Sequence, residues 1–256
     1  MNLELDGKVA LVTAASRGIG AATAHRLAQE GAMVVVAARS RPAFHKEVEH
    51  RLHSYQVDLS DSAATADLIP KVLHDHGRLD VLVLNTPGPK IAPVLDMNIE
   101  DWADAYDTLV RPVVQLALAG AKHMVEHRRG TIVFLTSTWV KQPAVGGVLS
   151  ASMRSALSAF SKQMALELGP LGIRVNQVQP GATGTERMTN IVQSKAAKFG
   201  TSAEAEIAKV VADIPMRRWA EADEIADVVA FIVSRRASFI TGATLQVDGG
   251  AIRSTY

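Results

Sequence analysis

The chain has 256 residues, with 27 Lys and Arg against 26 Asp and Glu, and no cysteine. That length suits one α/β domain or two small ones, and 48% hydrophobic residues with only 5% aromatics supply a large core of Ala, Val, Leu and Ile. A net charge of +1 gives no bulk field for nucleic acid or an anionic membrane, and the missing cysteines exclude disulfides, thiol nucleophiles and cysteine metal sites.

The first segment carries Glu4 and Asp6 before any apolar run, unlike a signal peptide. No apolar stretch approaches the ~18 residues of a membrane span. The expectation is a soluble, cytoplasmic protein. Residues 8–13 (KVALVT) predict a short buried strand, and 18–30 a helix stopping at Gly31. Residues 33–38 (MVVVAA) predict a second strand and 55–59 (YQVDL) a third. A helix over 62–76 stops at Gly77, and 81–85 (VLVLN) is a fourth strand. Residues 101–127 form a long helical stretch kinked at Pro112. A fifth strand at 131–136, a second long helix at 150–168 and a sixth strand at 174–178 follow. A helix at 221–234 and a strand at 244–247 close the pattern.

Strand and helix alternate with short connections, which implies a mostly parallel sheet wrapped by helices. The runs VALV, VVVA and LVL are continuously apolar, as strands buried on both faces should be. No repeat or linker divides the chain, so 1–256 reads as a single domain. Residues 185–218, rich in Ala, Lys and Glu, are too long for an ordinary loop. They predict helices over the sheet's edge. Their start at the carboxyl end of strand six makes them a predicted substrate lid rather than a plain insertion.

The turn TAASRGIG, residues 13–20, lies between the first strand and the first helix. Doubly wound folds receive a dinucleotide pyrophosphate there, on backbone N–H groups and the helix N-terminus. Thr13, Ala15, Ser16, Arg17, Gly18, Ile19 and Gly20 are therefore candidate cofactor residues. Ala14 replaces the first glycine of the usual fingerprint, and alanine tolerates this turn only at negative φ. The alternative is a Gly-rich turn that only packs the helix on the sheet. The second strand ends Ala37-Ala38-Arg39-Ser40, without the acid that an NAD-selective site places on the ribose. Arg17 and Arg39 together suit a 2′-phosphate, favouring NADP(H) over NAD(H). The alternative is two solvated surface arginines.

TAASRGIG, VDL at 57–59, NTPG at 85–88, GTIVFLTS at 130–137, GIRVNQVQPG at 172–181, T-E-R at 185–187 and ITGATLQVDGG at 240–250 follow in order. Together they resemble the short-chain dehydrogenase/reductase family over essentially the whole chain. The resemblance implies a Rossmann-type doubly wound parallel sheet of about seven strands with helices on both faces. It also implies a nicotinamide cofactor and a homo-oligomer, a tetramer before a dimer. It places Asp58, with Leu59 beside it, near the adenine. Asn85 and Gly88 would line the cofactor cleft, and Pro180, Gly181 and Thr185 would flank the nicotinamide.

The family's catalytic set is Asn, Ser, Tyr and Lys. Here Ser137 matches the serine, but Ser150 stands at the tyrosine position, Arg154 at the lysine position and Leu109 at the asparagine position. A serine hydroxyl is far less acidic than a tyrosine, and an arginine stays charged and does not shuttle protons. Losing a positioned general acid typically costs ~100- to 10,000-fold in rate. Ser137 and a cation could still stabilise an oxyanion, and Arg154 could hold the ribose. Lys141, in the loop TWVKQP, is a candidate replacement donor if desolvation lowers its pKa; the alternative is a solvated loop lysine. Tyr55 lies on the nucleotide side, Tyr106 is expected in the core or a subunit interface, and Tyr256 would need a neighbouring subunit.

TAASRGIG, the V-K-x-P loop, V-L-S-x-x-x-R and T-E-R resemble more closely the ketoacyl-reductase-like branch that lacks the usual tetrad. His74-Asp75-His76 is expected to be a solvated helix end, and no metal is expected. The leading expectation is an NADP(H)-dependent oxidoreductase on a small carbonyl or alcohol, with no nucleic acid or membrane partner. Two alternatives stand beside it. One is a non-redox dehalogenase-, isomerase- or lyase-like enzyme; the other is a non-catalytic NADP-binding protein.

Overall fold

Each uninterrupted β-branched run lies in a strand with neighbours on both sides. In the computed structural model, which describes residues 2–255, seven strands form one sheet in the order β3-β2-β1-β4-β5-β6-β7. Every pairing is parallel. The strands are β1 Val9–Thr13, β2 Met33–Ala38, β3 Leu52–Gln56, β4 Val81–Leu84, β5 Gly130–Leu135, β6 Ile173–Pro180 and β7 Thr244–Val247. The helices are α1 Gly18–Gln29, α2 Ser62–His76, α3 Ile99–Ala105, α4 Arg111–Glu126, α5 Val148–Leu168, α6 Glu186–Phe199, α7 Ala203–Ala212 and α8 Ala222–Val233. The order reverses between β1 and β4. The loops leaving their carboxyl ends diverge there and open a crevice, the place where such sheets bind ligands.

Side chains alternate across the sheet into two cores. Leu11, Val35, Leu82 and Ile132 pack with Leu68 and Val72 of α2, Leu116 of α4, and Leu157 and Met164 of α5. Val12, Val34, Val83 and Val133 pack on the other face with Leu27 of α1 and with Ile225 and Val229 of α8. Each such buried aliphatic side chain contributes about 1.5–3 kcal/mol relative to exposure.

The helix ends follow local chemistry. Asp61 accepts from the amides of Ala63 and Ala64 to start α2, and Gly77 stops it at φ 72°. Asn98 and Asp101 form a reciprocal capping box on α3, while Thr185 and Ser202 cap α6 and α7.

Two elements differ from the sequence expectation. The third strand begins three residues before the predicted 55–59, because its register with β2 runs from Val34↔Leu52 to Ala38↔Gln56. Val57 and Leu59, whose apolar alternation suggested a strand, instead pack into the core beneath α2. The long 101–127 stretch is broken by a π-helical turn at Tyr106–Val110. Pro112 follows that break in the first turn of α4, where its missing N–H leaves no helical bond unmade. Residues 185–218 hold α6 and α7, and α6 follows β6 after a five-residue connection at the carboxyl edge.

Candidate active site at the carboxyl ends of the strands

Thr13 closes β1 and ties it to the loop after β4. Its hydroxyl donates to the Asn85 carbonyl at 2.6 Å and accepts from the Asn85 amide at 2.9 Å. The Asn85 side chain in turn donates to the Ala14 carbonyl at 3.2 Å. These bonds set the width of the crevice. Ala14 sits at φ 47°, against the expectation of a negative φ. The alanine keeps the left-handed conformation of the glycine it replaces, held there by the Asn85 bond. At Gly20 close approach is required, since a Cβ would lie 2.7 Å from the Ala14 carbonyl oxygen and 2.8 Å from Ala15 Cα.

The crevice is a cavity of about 1380 Å³. Ser16, Arg17, Gly18 and Ile19 line its first turn, and Arg39, Ser40, Asp58 and Leu59 line the adjoining wall. Asn85, Gly88 and Thr185 line the opposite side. Thr13, Ala15 and Gly20 lie buried behind the turn and shape it. Pro180 is buried at the end of β6, and Gly181, whose Cβ would meet Asp248 Cα at 2.8 Å, stands outside the lining with it. The Asp58 carboxyl is held below the usual range by the Ser60 amide and hydroxyl, at 3.0 and 2.8 Å, with the Arg39 charge adding to the effect.

Two expected phosphate ligands differ in state. Arg39 is exposed on the cavity wall. Arg17, expected beside it as the second half of a clamp, donates from Nη1 to both Glu186 carboxylate oxygens at 2.9 Å. Glu186 is the first residue of α6. The next residue, Arg187, donates to the carbonyls of Gly88 and Pro89 at 3.0 and 2.8 Å. Arg187 lies so close over Gly88 that a Cβ there would fall 2.2 Å from its Cζ.

Ser137 follows β5 and accepts from the Trp139 amide at 3.2 Å. Ser150 and Arg154 are buried one turn apart on α5. Arg154 donates to the Leu135 carbonyl at 2.9 Å, to the Thr86 hydroxyl at 3.2 Å and to the Pro87 carbonyl at 3.5 Å. Burial, and then the charge of Arg187, push Arg154 down to about 10, which leaves it charged at neutral pH. Its guanidinium therefore joins the loops after β4 and β5. Ser137, Ser150 and Arg154 do not line the cavity.

Lys141 is exposed and also outside the lining, so the desolvation expected of a lysine donor is not met. Leu109 is fully buried in the core, whereas its neighbour Thr108 lines the cavity. Tyr55 donates to Asp75 at 2.5 Å; burial, and then the Asp75 carboxylate, raise its pKa. Tyr106 is 47% exposed rather than in the core, with Arg111 over its ring. Tyr256 lies outside the described residues. His74 is exposed and lies 2.8 Å from Asp75. Among the described residues one group has metal-ligand composition, His123, Glu126 and His127. It lies in the last turn of α4, which leads into the amino end of β5, away from the crevice.

Sequence reasoning gave no role to Glu186 and Arg187 beyond their place in the T-E-R motif. It also missed Lys195, Lys198 and Lys209, which face the cavity from α6 and α7. The three-residue spacing of Lys195 and Lys198 along α6 is the available signal.

A family model described as enoyl-(acyl carrier protein) reductase matches residues 13–251. The chain is 33% identical over 251 residues to the 3-oxoacyl-[acyl-carrier-protein] reductase FabG of Escherichia coli K12, covering 97% of this chain and 98% of that one. L-sorbose reductase from Gluconobacter frateurii, solved with NADPH and L-sorbose, superposes with a TM-score of 0.90 at 27% identity, over 99% of this chain and 100% of that one. An NAD+-bound xylitol dehydrogenase superposes with a TM-score of 0.88 at 30% identity, over 96% and 100% of the two chains.

Proposed function

Because the chain belongs to the short-chain dehydrogenase/reductase family, on its ketoacyl-reductase-like side, we propose that it is an NADP(H)-dependent oxidoreductase of a small carbonyl or alcohol. The observation that carries this reading is a single cavity at the switch point, walled by a Gly-rich turn, an arginine-ended β2 and the lid helix α6. The cradle suits a dinucleotide: Ser16, Gly18 and Ile19 of the turn would hold the pyrophosphate through backbone amides, and Arg39 and Ser40 would hold a 2′-phosphate, joined by Arg17 if Glu186 released it. Asp58 and Leu59 would flank the adenine, Asn85 and Gly88 the ribose, and Thr185 the nicotinamide end. A bound NADPH supplies a hydride.

The chain's own groups supply the rest. Ser137, half-buried and outside the cavity lining, would hold the substrate oxygen at the cavity's reaction end. The fixed charge of Arg154, behind the wall, favours negative charge developing on that oxygen. With Arg154 charged at neutral pH, the proton would come from water passed along the Ser137 and Ser150 hydroxyls. The same reading makes the protein a cytoplasmic homo-oligomer, a tetramer before a dimer, with no nucleic-acid or membrane partner. No described helix is long and apolar enough to cross a membrane.

A second reading has one observation in its favour. Among the described residues no histidine or tyrosine lines the cavity, as suits an NADP-binding protein without turnover. A fluorescence titration with NADPH and NADH, followed by absorbance at the nicotinamide band with a carbonyl panel, separates the two. Tight NADPH binding with turnover supports the oxidoreductase, and tight binding without turnover supports the second reading. Binding of neither nucleotide overturns both.

A further inference from the structure

The cavity wall carries six Lys and Arg side chains and three Asp and Glu. Glu186 is taken by Arg17 and Glu206 by Lys209. Two guanidinium groups near the reaction end remain without a carboxylate among the described residues. Arg154 is buried against the Leu135, Thr86 and Pro87 oxygens, and Arg187 crosses the Gly88 and Pro89 carbonyls. They flank one short turn, close enough for the charge of Arg187 to act on Arg154. The two like charges repel, and the Arg154 charge is buried with no carboxylate to offset it. Arg187 also sits in the first turn of α6, where the helix dipole disfavours a cation.

Such an arrangement is relieved by an anion. Arg187 uses one N–H on each terminal nitrogen for the two carbonyls. Its Nε–H and the two remaining terminal N–H groups stay available, and a guanidinium edge binds a carboxylate in two parallel bonds. We propose that the substrate carries an anionic group, a carboxylate, and that Arg187 is the residue that holds it, with Arg154 adding fixed positive charge from behind the turn. This rests on the reading of the cavity as a reductase site and names the class of carbonyl compound it takes: an oxo acid rather than a neutral ketone or sugar. The competing source of the same anionic chemistry is the cofactor's own phosphates.

The test offers 2-oxo and 3-oxo acids beside their methyl esters, each with NADPH, to the wild type, Arg187→Gln and Arg187→Lys. The expected result is a kcat/KM at least tenfold higher for acids than for esters, expressed mainly in KM. Arg187→Gln should lower the value for acids at least tenfold more than for esters, Arg187→Lys should recover part of the loss, and the Kd for NADPH should change less than threefold. Equal use of acids and esters overturns the proposal. So does an Arg187→Gln variant whose loss is confined to NADPH affinity, which would assign the anion to the cofactor. If NADPH binds but no carbonyl compound is reduced, the reductase reading fails instead. Calorimetric titration of the same acids and esters into the NADPH complex then decides: acid binding lost in Arg187→Gln upholds the site, and no preference for acids overturns it.

Discussion

Arg17 and Glu186 stand 169 residues apart in the chain and meet with both carboxylate oxygens 2.9 Å from one guanidinium nitrogen. The pair joins the Gly-rich turn after β1 to the first residue of α6. Glu186 thus occupies the cation that a phosphate would use. Because both side chains are more than half exposed, the pair itself adds little stability; on the proposed function it would compete with the cofactor. Glu186→Gln should tighten NADPH binding about three- to tenfold, with little change in melting temperature. Arg17→Ala should weaken NADPH more than NADH. Fluorescence titrations at two salt concentrations check both, and unchanged NADPH affinity in Glu186→Gln would remove Arg17 from the cofactor site.

Ala14 at φ 47° holds a conformation that costs a non-glycine residue about 1–2 kcal/mol. Ala14→Gly should recover about 1 kcal/mol at the fold level, less a few tenths for the added freedom of the unfolded chain. In a chain of this size that is a rise of about 2–4 °C in Tm. A calorimetric scan that finds a lower Tm would mean the alanine methyl packs usefully in the turn.

Asp80 is buried at the amino end of β4, accepting from Arg78 at 2.7 and 2.6 Å and from the Val9 amide at 3.0 Å. Burial pushes its pKa up, but the Arg78 bonds, the Val9 amide and the charges of Arg78 and Lys8 outweigh that and hold it below the usual range. A carboxyl with a depressed folded pKa gives stability that is complete above its unfolded pKa, about 3.9. That stability drains away as pH falls through the folded value. Asp80→Asn should cost about 2–3 kcal/mol at pH 7, and less at pH 3, below the unfolded pKa. Urea melts at the two pH values check this. An equal cost at both would show that packing, not charge, matters at this site.

Ser150 and Arg154 occupy one face of α5, one turn apart. The double substitution Ser150→Tyr with Arg154→Lys should rebuild a tyrosine acid beside a lysine. Carbonyl reduction should then rise about 100- to 10,000-fold if the wild type lacks a comparable donor. Arg154→Lys alone gives up part of the contact set to Leu135, Thr86 and Pro87, at about 1–2 kcal/mol, so melting curves accompany the assay. A folded double variant no faster than the wild type would mean that proton delivery already works by another route.

Strands buried on both faces were legible as continuous apolar runs, which is why β1, β2 and β4 fall where expected. The edge strand β3 was not, because Leu52-His53-Ser54 has only one neighbour to satisfy and the apolar pull of Val57 and Leu59 lies beyond it. The lining of the crevice was legible at Gly18, Arg39 and Asn85, all three of which line it. The state of Arg17 was not, because its partner comes from a helix at the far end of the chain. Arg154 could be placed at the lysine position by counting. Its attachment to the Leu135 carbonyl depends on how two strand ends approach each other, which no local pattern encodes.

The π-helical turn at Tyr106–Val110 works as a phase shift in the helical screw. One extra residue in a ring rotates all that follows by about 100°. Across this turn Leu109 points inward to the core while Thr108 faces the cavity. The hydroxyl of Thr108, bonded to the Asp104 carbonyl at 2.8 Å, becomes the polar group this helix presents to the crevice. Removing a single residue between 106 and 110 would straighten the screw. It would turn Thr108 off the cavity wall and would also rotate the buried face of α4, with Val113, Leu116 and Met124, against the core, so site and fold would suffer together.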